Sequence, residues 1–217
     1  MSDSEKKSVI FILDRSGSMR TILESTIESF NGYLGEMRQE QQLEFTLVQF
    51  DTISTDTVHR RLPIANVPDL DEKSYVPRAA TPLIDAVYAT LISAKEAYKK
   101  GDRVVVTILT DGYENASVLH KMADLNALIK ELSGWGWQFV FLGASIDAYR
   151  DAGQMGIQAG STMSFDSANP AAMREAMATT AGETRSYLST GKGVAYDRGL
   201  KARVGDRFAQ VNKEEPE

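Results

Sequence analysis

The sequence predicts an α/β fold: a doubly wound, mostly parallel central sheet with one antiparallel edge strand and helices on both faces. Two patterns carry that expectation. Continuous apolar runs at residues 9–13, 104–109 and 139–142 suit central strands covered on both sides, as in a parallel sheet. Between them apolar residues recur at helical spacing, so strands and helices alternate as far as about residue 190.

The elements follow in order. Residues 1–7 are a polar extension, and the domain is expected over residues 8–190. After the first apolar run, Leu23, Ile27, Phe30, Leu34 and Met37 step by four and three, one face of a helix. Residues 45–50 and 58–62 are separated by a short polar turn with no room for a helix, and read as an antiparallel hairpin. Arg60 and Arg61 suit its second member to the sheet edge, where His59 is a solvated strand residue rather than a ligand. Ile84, Val87, Leu91, Ala94 and Tyr98 mark the next helix, closed by Lys99-Lys100-Gly101. Another runs through Met122, Leu125, Ile129 and Leu132 to Gly134. A short helix over 147–155 and a last strand over 160–165 come next. Asn169-Pro170 then opens a final helix, since proline is well placed in a first turn. Its inner face is Met173, Met177, Thr180, Thr184 and Tyr187 or Leu188, with the methionines as core filler. From Gly191 periodicity is lost, and 191–217 is expected to be a poorly ordered tail.

Composition narrows the function classes. The 217 residues suffice for one good-sized core. A net charge of −6 argues against a nucleic-acid partner, which needs a surplus of Lys and Arg at the phosphates. With no cysteine there is no disulfide, iron–sulfur cluster or thiolate zinc site. The isolated His59 and His120 make an imidazole-rich metal site implausible. The apolar run before Asp14 is too short for a signal peptide and no stretch approaches a membrane span, so a cytosolic protein without a membrane partner is expected. The glycosylation-type triplet Asn115-Ala116-Ser117 is then a chance match.

Asp14-Arg15-Ser16-Gly17-Ser18 directly follows the first apolar run. A carboxylate and two hydroxyls at i, i+2 and i+4 can converge on one small hard cation, and oxygen ligands suit Mg²⁺ or Mn²⁺. In a doubly wound sheet ligands bind outside the carboxyl ends of the strands, where the strand order reverses. The run 104–109 ends in Thr110-Asp111-Gly112. If these two strands are neighbours, Asp111 faces Asp14, and Gly112 lets the backbone come close. A further oxygen is expected from Thr81, where Thr81-Pro82 opens a helix. Any one of these residues alone is more often a helix cap than a ligand.

Together, Asp-x-Ser-x-Ser after the first strand, Thr-Pro opening a helix and Thr-Asp-Gly after a later strand resemble a von Willebrand factor A domain with its metal-ion-dependent adhesion site. The motif positions are Asp14, Ser16, Ser18, Thr81 and Asp111, and the resemblance covers roughly residues 6 to 190. Residues 110–117 and 136–144 are also similar to small stand-alone A-domain proteins of bacteria and their phages. The resemblance implies a Rossmann-like fold and a Mg²⁺ or Mn²⁺ ion. It implies that Ser16 and Ser18 ligate directly and Thr81 directly or through water. Asp14 and Asp111 would act largely through water. An Asp or Glu carboxylate of a protein partner would complete the octahedron, with Arg15, Met19, Arg20, Tyr113 and Glu114 on the contacting rim. In relatives with a mobile last helix, a change in coordination shifts that helix, which here is residues 170–190.

Enzyme readings fit less well. A phosphatase of the haloacid-dehalogenase type needs a second acid where this chain has Ser16. A receiver domain needs an acidic cluster and a later lysine, and neither is apparent. No phosphate loop, dinucleotide fingerprint or nucleophile elbow follows a strand. Neutral hydroxyl ligands without a general base leave metal-assisted hydrolysis with no proton acceptor. The expectation is a binding module and not an enzyme. The alternatives are an interaction protein with a vestigial site and a magnesium-dependent hydrolase.

Overall fold

A computed structural model of the chain describes residues 5–144 and 147–206. Six strands form one sheet in the order β3-β2-β1-β4-β5-β6. They are β1 (Lys7–Asp14), β2 (Leu43–Phe50), β3 (Thr55–Pro63), β4 (Arg103–Thr110), β5 (Gln138–Gly143) and β6 (Thr162–Ser164). All pairings are parallel except β2 with β3, the expected hairpin. The helices are α1 (Leu23–Met37), α2 (Leu83–Lys95), α3 (Met122–Ser133), α4 (Ala148–Met155), α5 (Pro170–Thr190) and α6 (Arg198–Arg203).

The order explains why β1 reads as an unbroken apolar run. Val9, Phe11 and Leu13 pack into one core with α1 and α5, whereas Ile10 and Ile12 enter a second core with α2, α3 and α4. A strand buried on both faces has no polar side to alternate with. Phe11 meets Phe30 and Tyr33 edge-on, at ring-centroid distances of 5.1 and 5.4 Å. Met173 and Met177 of α5 are buried in the same core, as filler. Asn169 caps α5 by accepting from the amides of Ala171 and Ala172, and Gly191 ends the helix at φ +77°.

Two segments depart from expectation. Helix α2 stops at Lys95, short of Tyr98, because Asp102 draws the following turn back by accepting from the amides of Lys99 and Lys6. Tyr98 is still buried, its Oη 2.7 Å from Ser8 Oγ. The second departure is larger. Residues 191–206, expected as part of a loose tail, pack along the β6 side of the sheet. Val194, Tyr196 and Val204 are buried, Asp197 caps α6, and the Asp206 carboxylate accepts from Ser164 and Tyr149. The apolar residues here are single anchors in irregular chain, which leave no period to detect. Residues 207–217 of that expectation, and 1–4 of the N-terminal extension, lie outside the described residues.

β1 and β4 are adjacent with Leu13 opposite Leu109, so Asp14 and Thr110 end their strands level with each other. The chain leaves β1 toward β2 and β3, then crosses back to β4 on the other side. The strand order therefore reverses between β1 and β4, and their carboxyl ends border the crevice where such sheets bind ligands.

Close packing beside this edge gives a stability prediction. A methyl group on Gly143 would overlap Ala148 Cβ and lie 3.2 Å from the Phe141 ring. Gly143→Ala should therefore lower unfolding stability by roughly 1–3 kcal/mol. Urea denaturation measures this, and an unchanged midpoint would mean that α4 is not seated on β5 as described.

Candidate metal centre

The site is built from the end of β1 outward. Asp14 is fully buried, and each of its carboxylate oxygens accepts a hydrogen bond. The amide of Ser16 donates to Oδ1 at 2.7 Å, and Thr110 Oγ1 at the end of β4 donates to Oδ2 at 2.6 Å. Tyr75 Oη donates to the Asp14 carbonyl at 2.6 Å, fixing the backbone at the same residue. A 3₁₀ turn over Gly17–Ile22 then reverses the chain. That turn brings Ser18 Oγ to 3.1 Å from Ser16 Oγ, and Ser18 donates to Asp111 Oδ1 at 2.6 Å.

Thr81 arrives on a separate segment. The Gly17 amide donates to the Ala79 carbonyl at 2.9 Å, an approach that brings the Ala79 oxygen within 3.3 Å of where a Gly17 Cβ would stand. Ala79 itself has φ +61°. Asn115 then fixes Thr81, accepting from its amide at 3.0 Å and donating its own amide to the Thr81 carbonyl at 3.2 Å.

Gly112 shows how the segments converge. A Cβ at that position would lie 3.1 Å from Thr81 Oγ1, 3.5 Å from Ser18 Oγ and 3.8 Å from Asp14 Oδ2. Oxygens from two segments, the 14–18 run and the loop carrying Thr81, thus surround one point that a glycine on a third segment leaves open. All five residues singled out from the sequence, Asp14, Ser16, Ser18, Thr81 and Asp111, meet there. Ser18 is exposed while Asp14, Ser16 and Thr81 are buried, so the cluster opens outward past Ser18.

The electrostatics suit a cation. Burial pushes the Asp14 carboxyl up to about 6, against the hydrogen bonds from Thr110 and Ser16, and the nearby Asp111 charge adds to the rise. Burial also raises Asp111, against its bond from Ser18. Neither carboxylate forms a salt bridge with Lys or Arg among the described residues. Two acids whose ionised forms are disfavoured, facing neutral hydroxyls, fit a small hard divalent ion, whose charge would offset their desolvation. No group of three or more His, Cys, Asp or Glu that could hold a metal occurs among the described residues, so a metal here would draw on the hydroxyls.

No family model matches the chain, nor does any curated protein sequence. Solved structures do. The chain is similar to the PilB minor pilin from Streptococcus sanguinis, at 14% identity and TM-score 0.65 over 89% of this chain and 64% of that one. It is similar to a von Willebrand factor type A protein from Catenulispora acidiphila, at 14% identity and TM-score 0.59 over 83% of this chain and 43% of that one. It is also similar to the manganese-loaded Plasmodium vivax TRAP protein, at 14% identity and TM-score 0.53 over 80% of this chain and 74% of that one. The fold is von Willebrand factor A-like. The chain spans less than two thirds of the pilin it matches, and identities this low bear on the fold alone.

The A-like frame places the expected rim residues differently from one another. Arg15 and Met19 are buried and take no part in an outer rim: Met19 is in the core, and Arg15 turns inward to Asp51 and Asp56. Glu114 is engaged at the start of α2, accepting from the amides of Ile84, Ala116 and Ser117. Arg20 and Tyr113 are exposed beside the site. Among residues the sequence did not single out, Thr110 and Tyr75 hold Asp14. Thr110 lay inside the Thr-Asp-Gly signature, but Tyr75 sits in a stretch with no periodicity to mark it.

The raised Asp14 carboxyl predicts a pH effect on stability. An unfolded aspartate has an ordinary pKa near 3.8, and the folded value is about 6, so the folded state binds more protons between these limits. The fold is then favoured at low pH, and that contribution is lost as pH rises through about 6. In EDTA, Asp14→Asn should stabilise the protein relative to wild type more at pH 7 than at pH 4, by roughly 1–3 kcal/mol. Denaturant midpoints at the two pH values measure it. An equal effect at both would mean that Asp14 is not a strained carboxylate.

Proposed function

We propose that this protein is a metal-dependent protein-binding module. In this reading Asp14, Ser16, Ser18, Thr81 and Asp111 hold one Mg²⁺ or Mn²⁺, and an Asp or Glu carboxylate of a protein partner binds there. The observation that carries it is the convergence of Thr81, Ser18 and Asp14 oxygens around Gly112, with Ser18 linked to Asp111. Neutral hydroxyls leave a bound cation most of its positive charge, and the ion supplies an electrophilic point for an anionic oxygen. The two aspartates supply the charge that retains it. Ser18, the exposed member, stands at the side from which a partner arrives.

Binding is favoured over turnover by what surrounds the site. Both oxygens of Asp14 are already hydrogen-bonded, which ill suits a general base. His120 stacks on Tyr88 at 4.1 Å and contacts Asp85, and His59 lies on edge strand β3. Among the described residues no helix is long and apolar enough to cross a membrane, and the chain's charge disfavours nucleic acid. The proposal keeps the cytosolic location expected from the sequence, which fractionation of the native host tests.

Titration calorimetry should show a single Mg²⁺ or Mn²⁺ site in the wild type, lost in Asp14→Ala and in Asp111→Ala. Equal binding by all three proteins would place any metal elsewhere, and no binding by wild type would favour a vestigial site. A protein partner captured from the host should be released by EDTA and recaptured with Mg²⁺. Capture indifferent to chelator would contradict the metal's role, and turnover of a phosphoester substrate would favour the hydrolase reading.

A further inference from the structure

Beside the metal centre lies an ion cluster around a buried carboxylate that the binding reading does not use. The side chain of Asp51, just past β2, is fully buried. Its Oδ1 accepts from the amides of Ile53 and Ser54, at 2.6 and 3.1 Å. Its Oδ2 takes two guanidinium groups, Arg15 Nε at 2.8 Å and Arg78 Nε at 2.9 Å. Both arginines also reach Ser54 Oγ, and Arg15 continues to Asp56 at 2.8 Å.

The position of these two arginines in the chain is what gives the cluster meaning. Arg15 lies between Asp14 and Ser16, and Arg78 lies three residues before Thr81. The segments they belong to run side by side: the Arg78 amide donates to the Arg15 carbonyl at 2.8 Å, and Gly17 donates to Ala79. Thr52, next to Asp51, pairs with Ala80 in both directions, immediately before Thr81. One segment carries the Ser16 and Ser18 hydroxyls and the other carries Thr81. The spacing between the segments therefore sets the spacing between the serine hydroxyls and the Thr81 hydroxyl. Two like charges on these segments would push them apart were they not bound to a shared carboxylate oxygen.

We propose that Asp51 is a positioning residue of the metal centre, clamping Arg15 and Arg78 together so that the serine segment and Thr81 are held at the separation a small divalent ion requires. The proposal rests on the metal-binding reading above. Mg²⁺ demands short, near-ideal octahedral distances, whereas Ca²⁺ accepts longer and more variable ones. A rigid clamp thus selects for the smaller ion, and loosening it erodes the preference.

The test is calorimetric titration of the whole chain with Mg²⁺ alone and Ca²⁺ alone, with thermal melting to check the fold. Wild type should prefer Mg²⁺. Asp51→Asn should weaken Mg²⁺ binding by roughly 10–100-fold, the range typical for residues that orient ligands, while Ca²⁺ affinity changes much less. The ratio is the diagnostic readout, because a merely structural role would weaken both ions alike. Arg78→Gln should act in the same direction, and because this guanidinium is partly exposed it serves if Asp51→Asn does not fold. Glu44→Gln, which breaks the Arg61 ion pair at the other end of β2, should leave the ratio unchanged. An unchanged ratio in both clamp variants, or equal loss of both ions, overturns the clamp while leaving the metal reading intact. Absence of any divalent-ion binding by wild type overturns the metal reading, and the clamp with it.

Discussion

Asp14 is a carboxylate buried at the end of the central strand, and among the described residues no basic side chain pairs with it. Burying such a group is costly, and three features of the surroundings reduce the cost. The Ser16 amide and the Thr110 hydroxyl satisfy its oxygens, and the ring of hydroxyl oxygens beside it suits a cation. The residues providing this relief come from different parts of the chain and meet only because β1 and β4 are paired in parallel and end level. The sheet order, the crevice and the hydroxyl cluster thus share one requirement. Any rearrangement that slid β4 along β1 would separate Thr110 from Asp14 and leave its Oδ2 without that hydrogen bond.

The loops add precision that the sheet cannot supply. A strand end fixes Asp14, but Ser18 and Thr81 stand on irregular chain that needs its own constraints. The 3₁₀ turn after Gly17, the left-handed Ala79 and the Asn115 pairing with Thr81 provide them locally. The Asp51 carboxylate adds a tie across segments, and its pair with Arg15 is shielded from solvent, where screening is weak. On the far side of the sheet, residues 191–206 cover the β6 side through Tyr196, Val204 and Asp206. At the end of β6 Asp206 accepts from the Ser164 amide and hydroxyl and from Tyr149, satisfying polar groups that the short strand leaves unpaired.

How much of this was visible in the sequence depends on whether a residue acts through a period or through a contact. Strands buried on both faces announce themselves as apolar runs, and the inner face of α5 was marked by Met173, Met177, Thr180 and Thr184. The candidate site residues are visible because their chemistry is concentrated in short spacings after strand ends, so Asp14, Ser16, Ser18, Thr81 and Asp111 stand out together. What was hidden depends on direction. Arg15 sits between two site residues, and nothing in its spacing says that its side chain turns inward to Asp51 rather than outward to a partner. Met19 likewise follows the motif but drops into the core. Tyr75 and the anchors after Gly191 act through single long-range contacts in aperiodic chain, which sequence pattern does not encode.

The claim on which the rest turns is that five oxygen-bearing residues share one divalent ion. A crystal structure of the protein grown with Mn²⁺, measured for anomalous scattering, addresses it directly. The account predicts a single strong anomalous peak bounded by Ser16, Ser18 and Thr81, with Asp14 and Asp111 around it. A well-ordered site with no peak there, or a peak held by other residues, would contradict it.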